Sequence, residues 1–62
     1  METFKYRNQE IQVDYHTVEV KGEQVPDVII MQVLYQGTDI TMILSQTDEQ
    51  EILETIYDKL YN

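Results

Sequence analysis

Polar and apolar positions alternate over most of this chain and then change rhythm near its end. Phe4 and Tyr6 alternate with Lys5 and Arg7, which predicts a first strand over about 3–7. Asn8-Gln9 reads as a tight connection. Ile11, Val13 and Tyr15 then alternate with Gln12, Asp14 and His16 in a second strand over about 10–20. After His16 the apolar residues Val18 and Val20 fall on even positions, a phase change that predicts a β-bulge there or a strand that ends and restarts. Lys21-Gly22-Glu23-Gln24 reads as a turn, and Pro26 stops the ladder from continuing.

The densest apolar stretch is Val28-Ile29-Ile30-Met31-Gln32-Val33-Leu34-Tyr35, seven of eight residues apolar, which predicts a strand over 28–35 buried on both faces. Strict alternation puts Ile29, Met31, Val33 and Tyr35 on one face and Val28, Ile30 and Leu34 on the other. Gln36-Gly37-Thr38-Asp39 turns the chain into a fourth strand over about 40–45, where Ile40, Met42 and Leu44 alternate with Thr41 and Ile43. The rhythm then becomes helical. Ile52, Leu53, Ile56, Tyr57, Leu60 and Tyr61 form one stripe over about 48–61, with Thr47 as the expected N-cap and Gln50 three residues on. The expected fold is α+β: a four-stranded, mostly antiparallel sheet (ββββα) with one C-terminal helix on one face, in a single domain spanning 1–62.

This expectation leaves apolar surface unaccounted for. One short helix covers one face of the sheet, so Val28, Ile30 and Leu34, with Ile43, are expected to form an apolar patch that a second copy or another protein covers. A chain of 62 residues buries a modest share of its surface, and its lack of cysteine removes disulfides and thiolate ligands, which favours association further. With one histidine, no metal site is expected, and no cofactor motif is present.

Charge narrows the function. Twelve acidic residues against four basic ones give a net charge of −8, divided as −2 over residues 1–26 and −6 over 27–62. Such a chain repels phosphates, so direct nucleic-acid binding and anionic membrane surfaces are excluded. The N-terminus lacks a signal-like apolar segment, and a cytoplasmic location is expected, in a host's cytoplasm if a phage encodes the chain. Catalytic parts are missing too: Ser45 and His16 are the only serine and histidine, and neither lies in a nucleophile motif. A carboxylate-and-divalent-ion enzyme is the weakest of the readings.

Asp48, Glu51, Glu54 and Asp58 recur every three or four residues and are expected to share the helix face opposite the apolar stripe. Such a row is a solvated surface, a stand-in for the phosphates of a nucleic-acid backbone, or a contact for a basic protein partner outside nucleic-acid biology. The second reading makes the protein a non-enzymatic inhibitor whose partner is a basic, nucleic-acid-binding protein such as a nuclease, a restriction enzyme or a CRISPR effector. In size and composition the chain is similar to the small acidic inhibitors that bacteriophages and mobile elements make. The rival reading is a homodimeric adaptor or regulatory subunit that works through the second sheet face. Of the five tyrosines, Tyr57 and Tyr61 are assigned to the helix stripe, and Tyr6 and Tyr15 are the candidates for exposed contacts.

Overall fold

The computed structural model describes residues 1–62 and contains a four-stranded antiparallel sheet followed by one helix. The strands are β1 (Glu2–Tyr6), β2 (Gln9–Val18), β3 (Asp27–Tyr35) and β4 (Thr38–Asp39), in the spatial order β1-β2-β3-β4. The helix α1 (Gln46–Tyr61) packs against β1 and β3. The α+β class and the strand pairing follow the alternation in the sequence.

Both short hairpins use two-residue turns with positive φ at each central residue, as the right-handed twist of the flanking strands demands. In the first, Arg7 (φ 50) and Asn8 (φ 63) occupy the turn, one residue earlier than Asn8-Gln9. In the second, Gln36 (φ 50) and Gly37 (φ 81) do so.

Register decides which side chains the helix covers, and here the structure corrects the reading of the sequence. The irregularity between β2 and β3 lies at Asp14/Tyr15, with Asp14 opposite Gln32 and Tyr15 opposite Ile30. The extra residue is therefore Met31 on β3, and β2 keeps one phase past His16. One inserted residue flips every side chain beyond it to the other face. Val28 and Ile30 thus join Val33 and Tyr35 on the helix side, where Val28 is buried and Ile30 half-buried against the core. Ile29, Gln32 and Leu34 take the open face.

The second apolar face is accordingly absent. By register, the open face consists of Thr3 and Lys5 of β1, Glu10, Gln12, Asp14, His16 and Val18 of β2, and Ile29, Gln32 and Leu34 of β3. Most of these are polar. Of the four residues expected to form a sheet-face interface, Val28 and Ile30 lie under the helix. Leu34 is half-buried on the open side, and Ile43 is exposed on a different element.

The buried core is Phe4, Ile11, Val13, Val28, Val33, Ile52 and Ile56, with Tyr6, Tyr15, Ile30, Tyr35, Ile40, Leu44, Leu53 and Tyr57 packed around it. Leu60 and Tyr61, at the end of the stripe, are more than a third exposed.

The fourth strand is not where alternation places it: Thr38–Asp39, expected in the turn, form the strand, and none of residues 40–45 does. Asp39 Oδ1 accepts the Thr41 N–H at 2.9 Å, and Thr41 Oγ1 accepts the Val33 N–H at 2.8 Å. These side chains replace the ladder bonds that a longer strand would supply, which is how Asp and Thr compete with regular structure. Residues Thr41–Ile43 form a 3₁₀ turn instead, leaving Met42 93% and Ile43 79% exposed.

The helix starts two residues before the expected position. Ser45 is its N-cap: Ser45 Oγ accepts the Asp48 N–H at 3.1 Å, while the Ser45 N–H donates to Asp48 Oδ2 at 3.4 Å. This reciprocal box satisfies two otherwise orphaned donors, whereas Thr47 and Gln50 fall inside the helix.

Candidate functional site

The four carboxylates Asp48, Glu51, Glu54 and Asp58 all lie on α1, but they do not act as one free row. Two of them turn toward the first hairpin. The Tyr6 hydroxyl lies 2.8 Å from Asp48 Oδ1 and 2.6 Å from Glu51 Oε2. A phenol has one proton to donate, so the two carboxylates share it. Arg7 compensates. Its Nη2 is 3.3 Å from Asp48 Oδ1 and 3.2 Å from Glu51 Oε2, and its guanidinium also stands over the Tyr6 ring, 5.2 Å from the centroid.

The turn explains this placement. With Arg7 and Asn8 both left-handed, β1 ends at Tyr6 on the helix side, and the arginine follows directly beside the first turn of α1. The phenol holds Asp48 below the usual carboxylate range, helped by Ser45 and Arg7. The same phenol, with Arg7, lowers Glu51. Conversely, burial and the two carboxylates push the Tyr6 hydroxyl up, because ionising it would place a third negative charge beside them.

Glu54 and Asp58 remain apart from this cluster. Both are exposed; Asp58 accepts an Asn62 Nδ2 hydrogen bond at 2.9 Å, and Glu54 has neither a hydrogen-bond nor an ion-pair partner. The third ion pair of the molecule joins Lys59 to Glu2 at 3.4 Å, so nine of the twelve acidic residues have no cationic partner.

Tyr6 and Tyr15, read from the sequence as exposed contacts, are both half-buried and engaged. Tyr15 donates to Glu2 Oε1 at 3.0 Å and meets Phe4 edge-on at 6.0 Å between centroids. Tyr57 packs on the core as its helical spacing predicts, and its ring lies 5.9 Å from that of Tyr61. His16 is exposed on the open face opposite Ile29. No group of three or more His, Cys, Asp or Glu side chains converges as a metal site, and no helix is long and apolar enough to cross a membrane.

The Tyr6–Asp48–Glu51–Arg7 cluster was not read from the sequence. Its only local signal is Ser45-x-x-Asp48, which sets the start of the helix and hence the position of Glu51 one turn later. The approach of Tyr6 depends on the hairpin turn, which no local pattern around residue 48 reveals. No protein-family model, no curated protein and no solved structure matches this chain.

Proposed function

We propose that this protein is a non-enzymatic binding module of the cytoplasm, an acidic inhibitor that occupies the nucleic-acid site of a basic DNA- or RNA-acting protein such as a nuclease, a restriction enzyme or a CRISPR effector. The observation that carries the reading is the excess of unpaired carboxylates, nine of twelve, on a small and well-braced scaffold. A basic cleft attracts such a surface at long range and speeds encounter. Glu54 and Asp58, one helical turn apart and free of ion pairs, present the charge that the partner meets. Asp48 and Glu51 have a different part: Tyr6 and Arg7 use them to fasten the helix to the first hairpin, and Arg7 offsets their charge.

The test is displacement of labelled duplex DNA from a panel of basic nucleases at low and at physiological salt. Inhibition of at least one enzyme, weakening as salt rises and lost in the Glu54→Lys, Asp58→Lys double variant, supports the reading. Failure to displace DNA from any of them, or undiminished inhibition by the double variant, overturns it. Glu51 is kept intact because reversing it would also break the clamp on Tyr6.

The adaptor reading draws on a different observation, the exposure of Met42 and Ile43, and no longer on the sheet face. On that reading the native chain sediments as a dimer, and the Met42→Ser, Ile43→Ser variant sediments as a monomer.

A further inference from the structure

Besides the outer sides of the terminal strands β1 and β4, the sheet has two places where a strand runs past the end of its neighbour, and they are treated differently. On β3, Val33 and Val28 point their backbone groups away from β2. The Val33 N–H goes to Thr41 Oγ1, and the Val33 carbonyl accepts the Ile40 N–H at 2.9 Å. The Val28 N–H goes to the Tyr57 hydroxyl at 3.0 Å, and the bulge at Met31 breaks the ladder between them. That edge is blunted along most of its length, as sheet edges usually are.

The edge of β2 is not. β1 begins at Glu2 opposite Val13, so Asp14–Val18 have β3 on one side and no strand on the other. Tyr6 and Gln9 flank the two-residue turn and form its hydrogen-bonded pair, so odd-numbered residues of β2 direct their backbone groups toward the β1 side. Beyond Val13 those residues are Tyr15 and Thr17. Their N–H and C=O groups, four in all, face outward with no strand to receive them. No Lys, Pro or bulge guards this stretch on its open side.

A groove of about 660 Å³ lies along this edge, between β2 and the C-terminal turn of α1. Met1, Tyr15, Leu60 and Tyr61 provide its apolar wall, and Met1, Leu60 and Tyr61 are all more than a third exposed. On the other side of the strand, Asp14 is exposed without an ion pair, and Glu19 follows likewise.

We propose that this groove receives an extended, basic peptide segment of a partner protein, added to the sheet as a short strand antiparallel to β2. The free backbone of Tyr15 and Thr17 selects an extended chain, because only a strand satisfies both N–H and C=O groups at that two-residue interval. Alternation then fixes the side chains. Residues opposite Tyr15 and Thr17 point toward Leu60 and Tyr61 and are apolar. The residue between them emerges on the open face opposite His16 and within diagonal reach of Asp14, the exposed carboxylate there, and is cationic. The chain's own β1–β2 pairing already sets Lys5 opposite Glu10 in this manner. The net charge of −8 favours the same sign of partner. The lining of this site includes neither Glu54 nor Asp58, and the proposal stands or falls without them, because its probe carries no nucleic acid and involves no nuclease.

The experiment titrates a capped five-residue peptide of alternating lysine and valine into the isotope-labelled full chain and follows amide shifts. The expected result is saturable one-to-one binding, with the largest shifts at Tyr15–Thr17, Leu60 and Tyr61, and slowed amide exchange at Tyr15 and Thr17. Thr17→Pro removes an outward N–H that the β2–β3 ladder does not use, and proline is tolerated on such an edge. It should weaken binding about tenfold or more, a loss of about 1.4 kcal/mol. Leu60→Lys, which alters the wall without touching the strand, should weaken it similarly and guards against a proline that perturbs the fold. A peptide with glutamate in place of lysine should not bind. Absence of binding overturns the proposal, as does binding that both variants leave unchanged. Shifts confined to Glu54 and Asp58, or equal binding of the glutamate peptide, overturn it as well.

Discussion

The Tyr57 hydroxyl accepts the Val28 backbone N–H at 3.0 Å, so the helix satisfies the outer edge of β3 with a side chain. Val28 is buried, and without this bond its N–H would lack a partner. Tyr57→Phe preserves the ring packing and removes the acceptor alone. An unsatisfied buried donor costs about 1–3 kcal/mol. The expected result is a loss of that order in urea unfolding, with an unchanged slope, and faster exchange of the Val28 amide in particular. Equal stability of the variant would mean that water reaches this edge.

Acid should loosen the molecule through the cluster around Tyr6. Asp48 and Glu51 have folded-state pKa values lowered by the Tyr6 hydroxyl and Arg7. A lowered carboxylate contributes stability that is present above its unfolded pKa and is lost as pH falls through the folded one. The loss therefore starts near the ordinary carboxylate range, at about pH 4, and deepens below it. Tyr6→Phe removes the shared donor, so the melting temperature should fall at neutral pH and decline less steeply into acid.

At high pH the sign reverses. Tyr6 and Tyr15 are both raised by burial and by carboxylate neighbours, Glu51 and Asp48 for the former and Glu2 for the latter. A raised phenol contributes stability below its unfolded pKa of about 10 and loses it as pH climbs through the folded value. Ultraviolet titration of the folded chain should thus resolve two late-ionising tyrosines. One of them disappears in Tyr6→Phe and the other in Tyr15→Phe, while a single common ionisation step would contradict the structure.

Met31 sets the register of the core. Deleting it should join Ile30 directly to Gln32 and remove the bulge, leaving Val28 and Ile30 on the helix side opposite Thr17 and Tyr15. Retained cooperative unfolding, with a continuous β2–β3 ladder in amide exchange, is the expected outcome, and loss of the cooperative transition would contradict this placement of the bulge. Met31→Gln should change stability by no more than about 0.5 kcal/mol, because the side chain is 53% exposed.

This one residue also marks how far the sequence could be read. Strands, hairpins and the helix were legible because alternation and a 3.6-residue stripe report burial directly. The faces of β3 were not. Seven apolar residues in eight hide the phase, and the displaced parity of Val18 and Val20 pointed to a bulge on the wrong strand. With the phase corrected, the open face is mainly polar, and the surface expected from Val28 and Ile30 becomes core. The acidic row was legible as a spacing on the helix. Its division into a fastened pair, Asp48 and Glu51, and a free pair, Glu54 and Asp58, was not, because Tyr6 and Arg7 arrive from more than forty residues away.

The second hairpin offers a stabilising change that tests the turn geometry itself. Gln36 holds φ 50 in a two-residue turn before Gly37, a left-handed conformation that costs an ordinary side chain free energy. Asparagine adopts this region more readily, and Asn-Gly is the preferred pair for such turns. Gln36 is exposed and makes one long contact, from its Nε2 to the Tyr35 hydroxyl at 3.3 Å, so little is lost on replacing it. Gln36→Asn should raise stability by about 0.5 kcal/mol, with the gain expressed in the β3–β4 hairpin, where Leu34 faces Asp39 and Tyr35 faces Thr38. Gly37→Ala at φ 81 is the counterpart. A Cβ there meets no neighbouring atom, so any destabilisation arises from the backbone alone, and urea melts of the two variants should move in opposite directions.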